Sequence, residues 1–235
     1  RTSLQTADIH AQLDTHQELC VEDGKVNFRE SGGLAVIKTL FDTERAANPG
    51  RTIIVDGGDL IQGSGYAAMS KGNVFPDIVK QMQYDLLLPG NWEVVYGKDI
   101  MMEVMNSYNT NVIAQNMRHE GSEEQLFPPY WIKEIDGIRI GFIGINDPDV
   151  PIRQAPSYSK GILFNGLDKS FEETIKKVKF EEEADFIILL AHIGLAKQVD
   201  LANNPISKYA DYIFGNDTHE RVRNPIEGKY AKVVE

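Results

Sequence analysis

Three carboxylates, one carboxamide and three imidazoles recur along the chain in a single pattern, each following a short segment that reads as a strand. They are Asp8 and His10 in Asp8-Ile9-His10, Asp59 in Gly57-Gly58-Asp59, and Asn91 in Gly90-Asn91-Trp92-Glu93. His192 follows in Ala191-His192, and Asp217 and His219 close the series in Asp217-Thr218-His219. Carboxylate, carboxamide and imidazole are the oxygen and nitrogen ligands of divalent metal ions. The set suffices for two ions that share a carboxylate and keep positions open for water and substrate.

Each member also has a plainer reading. Asp8 and His10 are two apart, so an extended chain projects both side chains to one face, where they can share an ion. A surface Asp beside a half-buried His has the same spacing. Two glycines before Asp59 permit close backbone approach and unusual dihedrals, which suits a carboxylate that bridges two ions, and equally suits a simple turn. Asn91 offers a neutral oxygen ligand or a turn residue. His192 ends a five-residue apolar run, and burying an imidazole there is costly without a partner. Asp217 and His219 repeat the spacing of Asp8 and His10. His16 and His119 lie in polar stretches and read as surface residues.

The elements that must position these groups are legible as alternating strands and helices. Strands are expected before Asp8, over Thr52 to Val55, Asp85 to Leu88, Asn111 to Gln115, Phe186 to Leu190 and Tyr212 to Phe214. Leu34, Ile37, Leu40 and Phe41 have helical spacing within residues 32–47, and Asn48-Pro49-Gly50 stops that helix. Further helices are expected over Phe75 to Met82, Lys98 to Met105 and Phe171 to Glu183, with Glu181-Glu182-Glu183 as a solvated face. Tyr130 to Ile135 and Ile138 to Ile145 flank Asp136-Gly137 and form a hairpin, which makes the sheet arrangement mixed. The stretch around Pro148, Pro151 and Pro156 is too rich in proline for regular structure and is placed to overhang the site. No internal repeat is present, and one domain is the simpler reading. In such α/β arrangements ligands gather beyond the carboxyl ends of strands, so the seven groups are expected to converge.

Composition narrows the function classes. The 235 residues carry 42% hydrophobic and 25% charged side chains, with a formal net charge of −11. That acidity argues against a protein that grips nucleic acid or an anionic membrane by bulk charge. An anionic substrate therefore needs local positive charge, which metal ions supply. The single Cys20 excludes an internal disulfide framework and any cysteine-based zinc site. No apolar run reaches the length of a membrane span, and no signal peptide lies within the sequence.

With these blocks the chain resembles the calcineurin-like metallophosphoesterases, and among them the 5'-nucleotidase branch. That family carries D-x-H, G-D, G-N-H-E, a strand-ending histidine, and G-H-x-H or G-H-x-Q. The corresponding residues here are Asp8-Ile9-His10, Gly58-Asp59, Gly90-Asn91-Trp92-Glu93, Ala191-His192 and Gly215-Asn216-Asp217-Thr218-His219. The resemblance spans almost the whole chain, including Gly32-Gly33-Leu34 and Gly141-Phe142-Ile143-Gly144-Ile145. It implies an α/β fold, the four-layered α/β/β/α sandwich with mixed sheets. It also implies two divalent ions (Mn, Zn or Fe), with Asp8, His10 and His219 serving one, Asn91 and His192 the other, and Asp59 both. Asn91 is at once ligand and the catalytic residue that its block retains.

Two departures qualify the implied activity. Trp92 replaces the histidine that follows the asparagine, and Val95 stands where the acid supporting that histidine usually lies. Trp92 has two readings: a rim residue able to stack on a substrate base, or a core residue filling the histidine's space. Asp217 replaces a ligand histidine and adds negative charge, which favours harder metals such as manganese. Asn216 is the competing ligand, and Asp217 preserves the spacing to His219.

The resemblance implies hydrolysis of phosphate esters, nucleotides foremost, by water activated between the ions. The alternatives are a thiosulfohydrolase-like enzyme, which shares a tryptophan in this block, and a metal-binding protein of the same fold with little turnover. It further implies a catalytic domain over 1–235 that lacks its last strands, a C-terminal substrate domain elsewhere in the full-length protein, and a periplasmic or secreted location.

Overall fold

The computed structural model describes residues 1–235. In chain order the first half comprises β1 (Thr2–Thr6), β2 (Thr15–Glu22), β3 (Lys25–Gly32), α1 (Leu34–Ala47), β4 (Thr52–Asp56), α2 (Gly65–Ser70), α3 (Phe75–Met82), β5 (Leu86–Leu87), α4 (Lys98–Asn106) and β6 (Asn111–Val112). The second half comprises β7 (Met117–His119), β8 (Tyr130–Ile135), β9 (Ile138–Asn146), α5 (Val150–Arg153), β10 (Ile162–Phe164), α6 (Lys169–Phe180), β11 (Phe186–His192), α7 (Leu195–Asn203), β12 (Tyr212–Asn216), β13 (Ile226–Glu227) and β14 (Lys232–Val234).

Two principal sheets result. One is four-stranded, in the order β1-β4-β5-β6, and parallel throughout. The other is six-stranded and mixed, in the order β13-β14-β12-β11-β9-β8, with β14, β12, β11 and β9 parallel and an antiparallel strand at each edge. Helices α1, α3 and α4 pack with the first sheet, and α6 and α7 with the second. The α/β/β/α layering is therefore present, with the mixing confined to one sheet.

The pleat of β11 shows why both faces of the second sheet are covered. Ile188 and Leu190 point into the large core shared with β4, β5 and α1, whereas Ile187, Leu189 and Ala191 point into a second core against Phe171, Ile175, Val178 and Leu201. A near-continuous apolar run is the signature of such a two-sided strand. Gly144 on β9 lets the sheets approach: a Cβ there would lie 2.6 Å from the carbonyl oxygen of Ile113.

Several expectations need amendment. The proline-containing segment holds a short helix, α5, because Pro151 falls in its first turn, where no N–H is missed. Helix α6 spans Lys169–Phe180, and Asp168 caps it by accepting from the N–H groups of Ser170 and Phe171. Of the three following glutamates, Glu182 is tied down: the Tyr130 hydroxyl donates to it at 2.6 Å. His16 and His119 are half-buried and lie on strands, β2 and β7. The β2–β3 hairpin was not expected, although Asp23-Gly24 at its tip carries the same turn signal as Asp136-Gly137. Both dipeptides have positive φ at both positions.

Candidate metal centre

The carboxyl ends of the parallel strands in both sheets lie along one edge. In the first sheet Thr6, Asp56 and Leu87 are in register, and in the second Asn146, His192 and Asn216 are. Polar side chains pin the two rows together. The Gln5 amide donates to the carbonyl of Gly215 (2.8 Å) and to Asn216 Oδ1 (2.6 Å). Asn146, wholly buried, donates to the carbonyls of Pro89 (2.7 Å) and Gly90 (2.9 Å).

His192 ends β11 at this edge, from which rise the loops that carry the other six predicted groups, and the backbone of those loops is strained. Asp8, His10, Asp59, Asp217 and His219 all have positive φ, a region that L-residues occupy only when the surroundings enforce it. Asp8 and His10 are thus not in extended chain. They project together because their loop runs beside the Gly57-Gly58-Asp59 loop, with Asp8 N–H donating to Gly58 O and His10 N–H to Asp59 O, both at 2.9 Å. Glycine is required where the loops touch: a Cβ on Gly58 would lie 2.4 Å from the Gly90 nitrogen, and one on Gly90 would lie 2.3 Å from Asp59 Oδ1.

All seven groups converge. His10 Nε2 is 3.1 Å from His219 Nε2, 4.0 Å from Asp8 Oδ1 and 3.8 Å from Asp59 Oδ2. His192 Nε2 is 2.9 Å from Asn91 Oδ1, 3.2 Å from Asp59 Oδ2, 3.7 Å from Asp217 Oδ1 and 3.9 Å from Asp8 Oδ1. Asp59 Oδ2 therefore lies between the two histidines, as a bridging carboxylate must. The donor atoms fall into two compact groups, Asp8–His10–His219 and Asp8–Asp59–His192, which share Asp8. The first brings together three of the four groups expected for one ion, without Asp59, and the second places Asp8 beside Asp59 and His192.

Depth differs across the cluster. His192, Asp59 and Asn91 are buried, whereas His219 is exposed and faces solvent. His192 Nδ1 donates to the carbonyl of Gly57 at 2.8 Å, which orients the ring with Nε2 toward the carboxylates. Burial would push His192 down, but the carboxylates of Asp59, Asp8 and Asp217 prevail and hold it up at about 10. For Asp59, burial is outweighed by His192, the Trp92 N–H and His10, and its carboxyl is held below the usual range. Burial raises Asp8, despite His192 nearby.

The residues suit divalent ions. Asp8 Oδ1 is buried and accepts no hydrogen bond, while Oδ2 accepts from the Asp217 N–H at 3.1 Å. The Asn91 amide oxygen points toward the same carboxylates, an arrangement that a cation satisfies. Turned over, that amide instead donates to Asp59 Oδ2 (3.1 Å) and Asp217 Oδ1 (3.0 Å).

Asn216 and Asp217 part company. The Asn216 side chain lies in the seam between the sheets, bonded to Gln5, whereas the Asp217 carboxylate is directed into the cluster. Trp92 is half-buried and belongs to neither apolar core. Its backbone N–H donates to Asp59 Oδ1 at 2.7 Å.

Two residues of the site carried no role in the sequence reading. Glu93 is buried and accepts from the N–H groups of Asp59 (2.9 Å), Leu60 (2.7 Å) and Gly90 (2.6 Å), clamping two ligand loops. Burial, with Asp59 adding to it, pushes its carboxyl up to about 7. Its place three residues after Gly90 was a usable signal. Arg153, at the end of α5, forms a fork on Asp217, with Nη1 to Oδ2 and Nη2 to Oδ1 both at 2.9 Å. No local pattern announces it.

Residues 2–228 match the family model described as calcineurin-like phosphoesterase. The chain belongs to that family. It is 28% identical over 167 residues to a 5'-nucleotidase of Vibrio cholerae, an alignment covering 69% of this chain and 30% of that protein. It is 29% identical over 216 residues to the trifunctional nucleotide phosphoesterase protein YfkN of Bacillus subtilis, covering 83% of this chain and 14% of that protein. The chain thus spans less than a third of the length of either curated relative. The solved structure of Bacillus subtilis YfkN superposes with a TM-score of 0.76 at 26% identity, covering 94% of this chain and 73% of that one. The fold also matches Thermus thermophilus sulfate thiohydrolase SoxB, with a TM-score of 0.87 at 19% identity over 99% of this chain and 50% of that one.

Proposed function

We propose that this chain is the catalytic domain of a dimetal-dependent phosphoric ester hydrolase that acts on nucleotides or related phosphorylated small molecules. The observation that carries this reading is the convergence of two donor groups on shared carboxylates, Asp8 and Asp59, with His10 and His219 on one side and His192 and Asn91 on the other. Two ions held there supply what such a reaction needs, charge to offset the phosphoryl oxygens and activation of a water nucleophile.

The chain's own residues supply the rest. Asp8, His10, Asp59, Asn91, His192, Asp217 and His219 hold the charge, and Glu93 fixes the loops that orient Asp59 and Asn91. Trp92 stands at the rim, available to a planar base. The loop block offers no imidazole to assist a leaving group, so phosphoanhydrides and phosphate esters of acidic alcohols are the best substrates. The family assignment and the nucleotide chemistry in the relatives' names support this reading. Manganese is the preferred ion, because Asp217 adds a hard oxygen donor. A further domain supplies substrate contacts in the full-length protein, which is exported. No helix here is long and apolar enough to cross a membrane.

Trp92 favours one second reading, hydrolysis of a thiosulfonate in a site open to a carrier tail. The deciding experiment measures metal content by elemental analysis, then hydrolysis of p-nitrophenyl phosphate, 5'- and 3'-nucleotides, 2',3'-cyclic nucleotides and a thiosulfonate ester. Two ions with phosphoester turnover are expected. Two ions with no ester hydrolysis would leave a binding protein, and thiosulfonate turnover alone would establish the second reading.

A further inference from the structure

Asp217 differs from the other candidate ligands in being paired with a cation from outside the ligand set. Both of its oxygens accept from the Arg153 guanidinium in a bidentate fork, the strongest geometry such a pair has. Arg153 is itself anchored from behind. Its Nη1 also donates to Asp147, a carboxylate with no exposed surface, and burial of Asp147 is outweighed by Lys197, the Asp149 N–H and Arg153, which keep it ionised. Lys197 Nζ holds Asp147 Oδ1 and Asp149 Oδ2, each at 2.7 Å. Arg153 is thus a fixed cation, and its fork reaches to within one carboxylate of His192 Nε2.

A guanidinium and a metal ion compete for one carboxylate, since each is a cation and each needs the same lone pairs. Asp8, His10 and His219 face no such rival, whereas Asp217 Oδ1 lies 3.7 Å from His192 Nε2, on the side of the second position.

We propose that Arg153 is a built-in competitor for the cation at Asp217, so that the two ion positions fill unequally: the one at Asp8, His10 and His219 first, and the one at His192 and Asn91 only as Arg153 yields Asp217. This rests on the dimetal reading above. It makes the second ion a variable that metal supply controls, and Arg153 the residue that sets its threshold.

The test is calorimetric titration of the chelator-stripped chain with Mn²⁺ alone, without substrate. The wild type is expected to bind one ion tightly and a second at least tenfold more weakly. In Arg153→Gln the second ion should tighten at least tenfold with the first unchanged, and in Arg153→Lys, which keeps the charge, it should stay weak. Adding Asp217→Asn to Arg153→Gln should cancel the gain. A purely structural role for Arg153 predicts no gain in affinity. Two ions of equal affinity in the wild type, or no tightening in Arg153→Gln, would overturn the inference while leaving the dimetal reading intact. Absence of any Mn²⁺ binding would overturn both.

Discussion

The Glu93 carboxylate accepts the backbone N–H of Asp59 at 2.9 Å, and the same oxygen accepts the N–H of Gly90 at 2.6 Å. One buried side chain therefore sets the distance between the loop that carries the bridging carboxylate and the loop that carries Asn91. In Glu93→Gln an amide NH2 must face backbone donors, at a cost of about 1–3 kcal/mol for the group left unsatisfied. The expected result is a fall in Tm of roughly 2–10 °C together with weaker Mn²⁺ binding, measured by calorimetry. Unchanged ion affinity would show that the clamp does not set ligand geometry.

Asp8, Asp59 and Asp217 place three carboxylates within 4 Å of His192 Nε2. Cations that bind only the folded chain stabilise it by about 2.7 kcal/mol at a hundredfold excess over Kd. Adding Mn²⁺ to the chelated protein should therefore raise Tm by about 5–10 °C. Asp59→Ala, which removes the carboxylate between both histidines, should abolish most of that rise and lower phosphoesterase kcat/KM by more than about 100-fold, since even an outer partner of a ligand is worth 10–100-fold.

How much of this site the sequence could show depends on the range of the interaction involved. The seven ligand candidates were legible because each follows a segment that reads as a strand, and the apolar runs among these become two-sided strands such as β11 with its neighbours. Their convergence followed from strand ends sharing an edge. The route by which Asp8 and His10 converge was not legible: a two-residue spacing suggested a pleat, whereas paired loops with left-handed residues do the work. Glu93 was visible as a residue but not as a clamp, because three of its four N–H partners belong to a loop 32 to 34 positions away. Arg153 and Asp217 are 64 positions apart, and nothing in either neighbourhood encodes the pairing.

Asp56 predicts a pH signature independent of activity. It is wholly buried at the end of β4, accepting from the Thr6 hydroxyl (2.7 Å) and the Gly58 N–H (3.0 Å), and burial pushes its carboxyl up to about 8. Folding thus raises the pKa of an acid. The unfolded chain releases this proton near pH 4 and the folded chain near pH 8. The contribution is fully present below about pH 4 and is lost as pH rises toward 8. Asp56→Asn, which stays neutral, should match the wild type near pH 4 and exceed its Tm increasingly up to pH 8, with both kept in chelator. A Tm difference that does not change with pH would show that Asp56 ionises normally.

Trp92 gives the last prediction, because its position separates substrate recognition from ion binding. The ring is half-buried and outside both cores, while the backbone N–H of the same residue holds Asp59 Oδ1. Trp92→Ala therefore removes the ring and keeps that hydrogen bond. Aromatic stacking is worth about 0.5–1.5 kcal/mol, which corresponds to roughly a 2- to 12-fold change. KM for purine nucleotides should rise by that factor in Trp92→Ala. KM for a short alkyl phosphate, which has no ring to stack, and the Mn²⁺ affinity should stay as in the wild type. Trp92→Phe should recover part of the loss. Equal losses on the nucleotide and the alkyl phosphate would place Trp92 in support of the loop, and its ring would then have no part in recognising the base.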